Sequence, residues 1–351
     1  MSILKQFRNK KMKFDEKIDS AISKDISDVQ RVIVLIDFVL EHFFHKITTT
    51  TYFLYGFYNK KQRYRRQFVG RKEMRFIFNV CNAPKDRLIT GDKATFNNRY
   101  GELMGRKWLN LTNASFDEFQ AFIQDMERVF VKPTDGGGGR GAGIIKIDDE
   151  MNRQAIFEEL KAQKAILEGV VKQHLAMAAF HPSSINTVRI VTLRDADDVI
   201  HVMAAVMRMG TGGRVVDNFH NKGIAAAIDV ESGILTSFGT DVNGRRYLFH
   251  PDTNKQIAGF QIPCWEKIIN TVIGAAELLP ELRYVGWDIA LDSEERPIII
   301  EANAMPDFDV LQGPGQEGLW FKYKPIIVEL QRRGLSKERG KDGKVTFGKR
   351  S

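Results

Sequence analysis

Cysteine is scarce in this chain: among 351 residues there are two, Cys81 and Cys264, far apart and outside any CxxC spacing. That excludes a disulfide framework and a structural zinc site, and a reducing cytoplasm is the expected setting. Long apolar runs are also missing. The most apolar early stretch, Arg31 to Phe44, is broken by Asp37, Glu41 and His42. It falls short of the roughly 20 residues of a spanning helix, so no membrane span is expected. The opening residues, MSILKQFRNKKMKFDEK, lack the apolar centre of a signal peptide, and export is not expected. No GxSxG or Cys/His signature of a protein nucleophile is found.

Charge is present in excess but unevenly. The formal net charge is +8, with six Lys/Arg against two Asp/Glu in residues 1–17, eight against one in 59–75 and eight against two in 331–351. Those segments hold +17 between them, so the remainder of the chain carries −9. Basic charge confined to local segments differs from the basic face of a nucleic-acid-binding fold, and no nucleic-acid partner is expected.

Residues 1–75 read as a basic, helical N-terminal extension. Val32, Ile33, Ile36, Val39, Leu40, Phe43, Phe44 and Ile47 follow the spacing of an amphipathic helix. The basic stretch Lys60 to Arg75 is interleaved with Tyr64 and Phe68, and preceded by Tyr52, Phe53, Tyr55, Phe57 and Tyr58. Two readings stand: a solvated helix face beside a small aromatic core, or docking on an anionic membrane surface or a polyanionic substrate. From Phe76 the pattern becomes α/β, with strands expected over 128–132, 144–147, 165–171, 187–193, 201–209 and 224–230. Helices are expected near 97–108, 115–126, 151–161 and 264–279. Polar turns at 195–198, 231–233 and 292–296 predict antiparallel pairs in the second half. The basic tail, 331–351, is expected to be disordered.

Two motifs carry chemistry. Val131-Lys132-Pro133-Thr134-Asp135 runs into Gly136, Gly137, Gly138, Gly139, Arg140, Gly141, Ala142 and Gly143. Six glycines in eight positions leave backbone N–H groups free to approach a phosphate, and Lys132 and Arg140 flank them. A Walker loop would need Lys-Ser/Thr and a following helix, a dinucleotide fingerprint also needs the helix, and a kinase reading lacks HRDxxxxN and DFG. What remains is strand, glycine loop, strand, with the lysine first.

The second motif is Tyr284-Val285-Gly286-Trp287-Asp288-Ile289-Ala290-Leu291, a turn over Asp292 to Arg296, then Pro297-Ile298-Ile299-Ile300-Glu301-Ala302-Asn303. A turn centred between Glu294 and Glu295 predicts Asp288 directly across from Glu301, with Asn303 on the same face. Opposed carboxylates repel, so a bound cation is the expected compensation, and an oxygen-only ligand set favours Mg²⁺ or Mn²⁺. The alternating Val285, Trp287, Ile289, Ile298 and Ile300 are expected to face the core.

These residues resemble the ATP-grasp superfamily, and within it the sugar-transfer-associated group, which is similar to the alpha-L-glutamate ligases. The resemblance runs from about Phe76 to Leu311 and rests on Gly91-Asp92-Lys93, Phe130 to Pro133 with the glycine loop, Leu167-Glu168-Gly169-Val170-Val171, Asn186-Thr187-Val188-Arg189, Asp217-Asn218, and Asp288 with Glu301-Ala302-Asn303. It implies an α/β (α+β) ATP-grasp fold in which two α+β subdomains grip ATP, behind the N-terminal helical extension. The catalytic domain would span 76–330, with a nucleotide-binding subdomain about 128–172 and a C-terminal subdomain about 173–330.

The resemblance also implies roles. Lys93, Lys132 and the glycine loop would hold the phosphates, Glu168 to Val171 would receive adenine, and His174 would lie near the ribose. Arg189 and Lys132 would act at the transferring phosphoryl group, with Asn218 and Arg208 as neighbours, and Asp288, Glu301 and Asn303 would hold Mg²⁺. The implied activity is ATP-dependent ligation of a carboxylate to an amine or thiol through an acyl phosphate, in polysaccharide or cell-surface sugar biosynthesis. Phosphotransfer to a hydroxyl and a non-catalytic nucleotide-binding regulator are the alternatives. The expected partners are ATP and small carboxylate and amine substrates that are sugar-linked. Peripheral membrane contact through the basic segment and a dimer are further expectations.

Overall fold

The computed structural model describes residues 13–133, 142–148, 150, 152–212, 219 and 223–336. The N-terminal region is helical: α1 (13–21), α2 (Asp28–His45), α3 (Thr49–Leu54), α4 (Gln62–Arg65), α5 (Arg71–Cys81), α6 (Pro84–Gly91) and α7 (Lys93–Tyr100). Ser27 starts α2 with a capping box, its Oγ accepting from Gln30 N while Gln30 Oε1 accepts from Ser27 N; Lys46, at φ 57°, ends it.

The strands form two antiparallel sheets. In the smaller, β1 (Trp108–Asn110), β2 (Arg128–Pro133), β3 (Gly143–Lys146) and β4 (Ala165–Gly169) lie in the order β1-β4-β2-β3. Helices α8 (Phe116–Ile123) and α9 (Arg153–Ala162) cover it around Phe119, Phe157, Val129 and Leu167. The larger holds β5 (Thr187–Arg194), β6 (Ile200–Met209), β7 (Ile224–Ile228), β8 (Gly239–Asp241), β9 (Arg246–Tyr247), β10 (Tyr284–Leu291) and β11 (Pro297–Asn303), in the order β11-β10-β5-β6-β7-β8-β9. Residues 170–174 join the sheets and lead into α10 (Leu175–Ala178).

Each face of the larger sheet has its own core. On one, Trp287, Ile289, Val188 and Ile299 pack with α7 and α11 (Trp265–Glu277). On the other, Val191, Leu193 and Val206 meet the N-terminal helices together with α12 (Phe308–Gln312) and α13 (Trp320–Arg332). The N-terminal helices therefore share a core with the chain's C-terminal helices. The buried Gln312 amide joins them, accepting from Val69 N at 2.8 Å and Leu319 N at 3.0 Å and donating to the Tyr55 hydroxyl at 3.0 Å.

Three local readings change. The helix expected over 97–108 instead starts at Lys93, capped by Asp92, whose Oδ1 accepts from Thr95 N at 2.6 Å. It stops before Gly105, whose φ of 59° turns the chain into β1, and a Cβ there would meet Ile298 at 3.1 Å. The apolar stripe of α2 faces outward: Val29, Val32, Ile33, Ile36, Val39, Leu40, Phe43 and Phe44 are 51–69% exposed. The opposite side, Val34, Leu35 and Phe38, packs on the core. Periodicity marks a helix but not which of two apolar faces is covered. Finally, the turn register that sets Leu291 against Pro297 puts Ile299 across from Ile289, on the Trp287 face, in place of the expected Ile298 and Ile300.

Candidate active site

Asp288 and Glu301 are Cα partners across β10 and β11, as the hairpin reading expects, but by a different route. The turn is centred on Glu294, because Leu291 faces Pro297, and this register alone would set Asp288 against Ile300. The bulge adds one residue on β11 and restores the acid pair. Asp292 holds the turn, its Oδ1 accepting from Glu294 N at 2.9 Å and Arg296 N at 2.8 Å.

Register continues the row into β5, where Arg189 is the partner of Asp288. The Arg189 guanidinium grips Asp288 through Nε to Oδ1 and through Nη2 to Oδ2 at 2.7 Å, and Arg208 Nη1 donates to Oδ2 at 2.8 Å. Arg189 Nη2 also stands 3.9 Å from Glu301 Oε1. The side chain of Asp288 is 3% exposed and that of Glu301 56%. Two guanidiniums thus supply the compensation that a cation was expected to supply, which the hairpin alone could not show.

The two acids respond oppositely. Burial works to raise the Asp288 carboxyl, but the guanidiniums of Arg189 and Arg208 outweigh it and hold it well below the usual carboxylate range. Although part of its side chain reaches solvent, the Glu301 carboxyl is pushed up to about 7 by partial desolvation and by the Asp288 carboxylate across the strand pair. Asn303, the third expected ligand, accepts from Met305 N through Oδ1 at 2.8 Å.

This donor set is compatible with a hard divalent cation: all oxygen, with Glu301 open to solvent. Asp288 already uses three of its roughly four lone-pair sites on the arginines, so Glu301 is the more available ligand. Among the described residues no three His, Cys, Asp or Glu side chains gather into a metal-ligating group.

A second hub lies in the smaller sheet. Glu168, 3% exposed, pairs with Lys132 Nζ at 2.9 Å and with Arg106 at 2.8 Å. The residue expected to read adenine is also the counter-ion of the lysine expected to bind phosphate, and its carboxylate is held low: burial raises it, but Arg106 and Lys132 prevail. Arg106, which no motif singled out, also donates to the Ile299 carbonyl at 3.0 Å, two residues before Glu301. One guanidinium therefore ties the smaller sheet to the strand that carries Glu301. Its partners lie 62 and 193 residues along the chain, so only the fold could reveal it.

Lys93 Nζ donates to the carbonyl of Pro133, the residue after Lys132, which brings the two expected phosphate lysines to the same end of β2. Gly169 donates to the Lys107 carbonyl at 2.9 Å, and Val170 and Val171 follow it in the connection between the sheets. His174 caps α10, its Nδ1 accepting from Ala176 N at 3.2 Å. Asn186 anchors the start of β5 by exchanging side-chain and backbone hydrogen bonds with Gln173. Gly136, Gly137, Gly138, Gly139, Arg140, Gly141 and Asn218 lie outside the described residues.

A family described as sugar-transfer associated ATP-grasp matches residues 80–326. The chain belongs to that family. Solved structures similar to this ATP-grasp chain include the ATP-grasp ligase PsnB complexed with minimal precursor, at 15% identity and TM-score 0.45, covering 71% of this chain and 64% of that one. D-alanyl-alanine synthetase A from Vibrio cholerae O1 biovar eltor matches at 12% identity and TM-score 0.44, covering 72% and 68%. N5-carboxyaminoimidazole synthetase from Staphylococcus aureus complexed with ADP matches at 14% and 0.38, covering 63% and 46%. The chain thus spans just under two thirds of the length of PsnB. Comparison with curated proteins gives no match.

The raised Glu301 carboxyl of this ATP-grasp site has a pH signature. Because its folded value lies above the ordinary value of about 4.3, the folded state holds an extra proton between about 4.3 and 7. Stability from this group therefore rises as pH falls through that window, and is reduced above it. Glu301→Gln is expected to melt higher than wild type at pH 8 in metal-free buffer, with the gap closing by pH 5. Equal melting temperatures at pH 8 would contradict the carboxyl pair.

Proposed function

We propose that the protein is an ATP-dependent, ADP-forming ligase that activates a carboxylate as an acyl phosphate and passes it to an amine or thiol. The observation that carries this reading is the row Glu301–Asp288–Arg189, with Arg208 beside it, joined through Arg106 to the hub that fixes Lys132. In this reading Lys132 and Lys93 bind the terminal phosphates, with backbone N–H groups of the glycine-rich residues 136–141 as further donors. Residues 168–171 receive adenine through exposed backbone, since the Glu168 carboxylate is already engaged.

Arg189 and Arg208 hold positive charge beside the reacting centre without motion, because Asp288 fixes both, so charge developing on the transferring phosphoryl group meets donors already in place. Asp288, Glu301 and Asn303 would hold Mg²⁺, which supplies charge neutralisation between the terminal phosphates. Ionised Glu301 is the form that binds a cation, so binding would favour loss of its raised proton and be weaker below pH 7.

We assign nucleotide binding to residues 128–172 and acceptor binding to the cleft they form with 173–330, and place the enzyme in the cytoplasm. Its acceptor would belong to polysaccharide or cell-surface sugar assembly, a reading supported by the family's description as sugar-transfer associated. The test is phosphate release from ATP against a panel of carboxylates and amines, amino sugars included. Release that requires both substrates supports ligation. ADP formation with a hydroxyl acceptor and no free phosphate would replace it with phosphotransfer, and nucleotide binding with no turnover on any pair would leave a regulator.

A further inference from the structure

We propose that α2 is a membrane-docking helix that lies in the surface of an anionic bilayer, a property independent of the ligase reading. The helix Asp28–His45, between the caps Ser27 and Lys46, is 18 residues long, and at 100° per residue its exposed apolar side chains fall within one band less than half its circumference wide. Ile33, Ile36, Leu40, Phe43 and Phe44 lie in that band, each at least half exposed. Eight large apolar side chains side by side make a patch at or beyond the several hundred Å² found on ordinary monomers. No helix among the described residues is long and apolar enough to cross a membrane, so the fitting geometry is in-plane.

Charge decides the occupant. Asp37 and Glu41 stand at the edge of the band, and Arg65 pairs with both, at 2.8 Å each. This fixes α4 along the flank of the stripe. Arg65 is itself buried in that pair, so it is an anchor and not one of the outward cations. Lys61, Arg63 and Arg66 around it are exposed and have no acidic partner among the described residues. Arg63 lies over the ring of Tyr64, which is 46% exposed, at 4.7 Å. Lys46 marks the far end of the stripe, 5.7 Å from the Phe43 ring. An apolar band with a cationic and aromatic border suits lipid acyl chains beneath anionic headgroups. A second copy on the same stripe would crowd two sets of these cations around one seam, whereas anionic lipid neutralises them.

The test is flotation of the full chain with phosphatidylcholine vesicles, with and without phosphatidylserine, at low and raised salt. Wild type is expected to float with phosphatidylserine vesicles, less so in salt, and to bind phosphatidylcholine alone far more weakly. The pair Ile36→Asp with Phe43→Asp, and separately Lys61→Glu with Arg63→Glu, should each lower partition by about tenfold or more. Phe43→Trp should shift its emission to the blue only with the anionic vesicles. All these positions are exposed, so circular dichroism should match wild type and confirm folding. Absence of flotation by folded wild type, or flotation unchanged in the stripe variant, overturns the proposal. So does a dimer in sedimentation velocity that the stripe variant dissolves, since the stripe would then belong to a second copy.

Discussion

Asp288→Ala is expected to lower the unfolding free energy by about 3–5 kcal/mol, because it removes the buried carboxylate that Arg189 and Arg208 share. Arg189 and Arg208 both spend donors on this carboxylate, and the strands that carry them pair through Arg208–Thr187 and Arg189–Val206. Glu301, 3.9 Å from Arg189, is exposed and stands farther from the guanidinium than Asp288 does. Urea unfolding at unchanged slope measures the loss. The double variant Asp288→Asn with Arg189→Gln should cost less than the two single changes together, because both changes remove the same buried ion pair. A loss under about 1 kcal/mol for Asp288→Ala would mean that water or another acid already serves the arginines. The same variant removes a proposed cation ligand, so any effect on nucleotide binding has to be read in protein shown to be folded.

The hairpin shows how far local pattern reaches. Alternation from Tyr284 to Asn303 and an Asx turn at Asp292 sufficed to put two acids face to face, although the expected register was one residue off at the turn and the bulge beside Asp288 returned it. A bulge depends on neighbouring strands, so turn length alone does not announce it. The guanidiniums that offset the Asp288 charge come from β5 and β6, 99 and 80 residues away from Asp288, and no spacing rule links them. Glu168 illustrates the same limit: its motif was visible, but Arg106 and Lys132, which pair with its carboxylate, meet it only in the folded sheet. In α2 the period was plain while the side left uncovered was not, because both faces carry large apolar residues. The broad division into basic helices followed by antiparallel α/β was legible because it rests on composition and on period, which are local.

Lys132→Ala is the second large effect. Its ammonium sits near the end of β2, held by Glu168, while Arg106 remains to pair that acid when the lysine is removed. The fold should therefore tolerate the change, and the loss should fall on the nucleotide. The measurement that bears most directly on the ATP-grasp account is calorimetric titration of wild type and Lys132→Ala with a non-hydrolysable ATP analogue, with and without Mg²⁺. Magnesium-dependent binding by wild type, weakened about tenfold or more in Lys132→Ala without loss of folded structure, is the predicted result. Wild type that binds no nucleotide with the metal present, or Lys132→Ala that binds as tightly as wild type, would contradict the site.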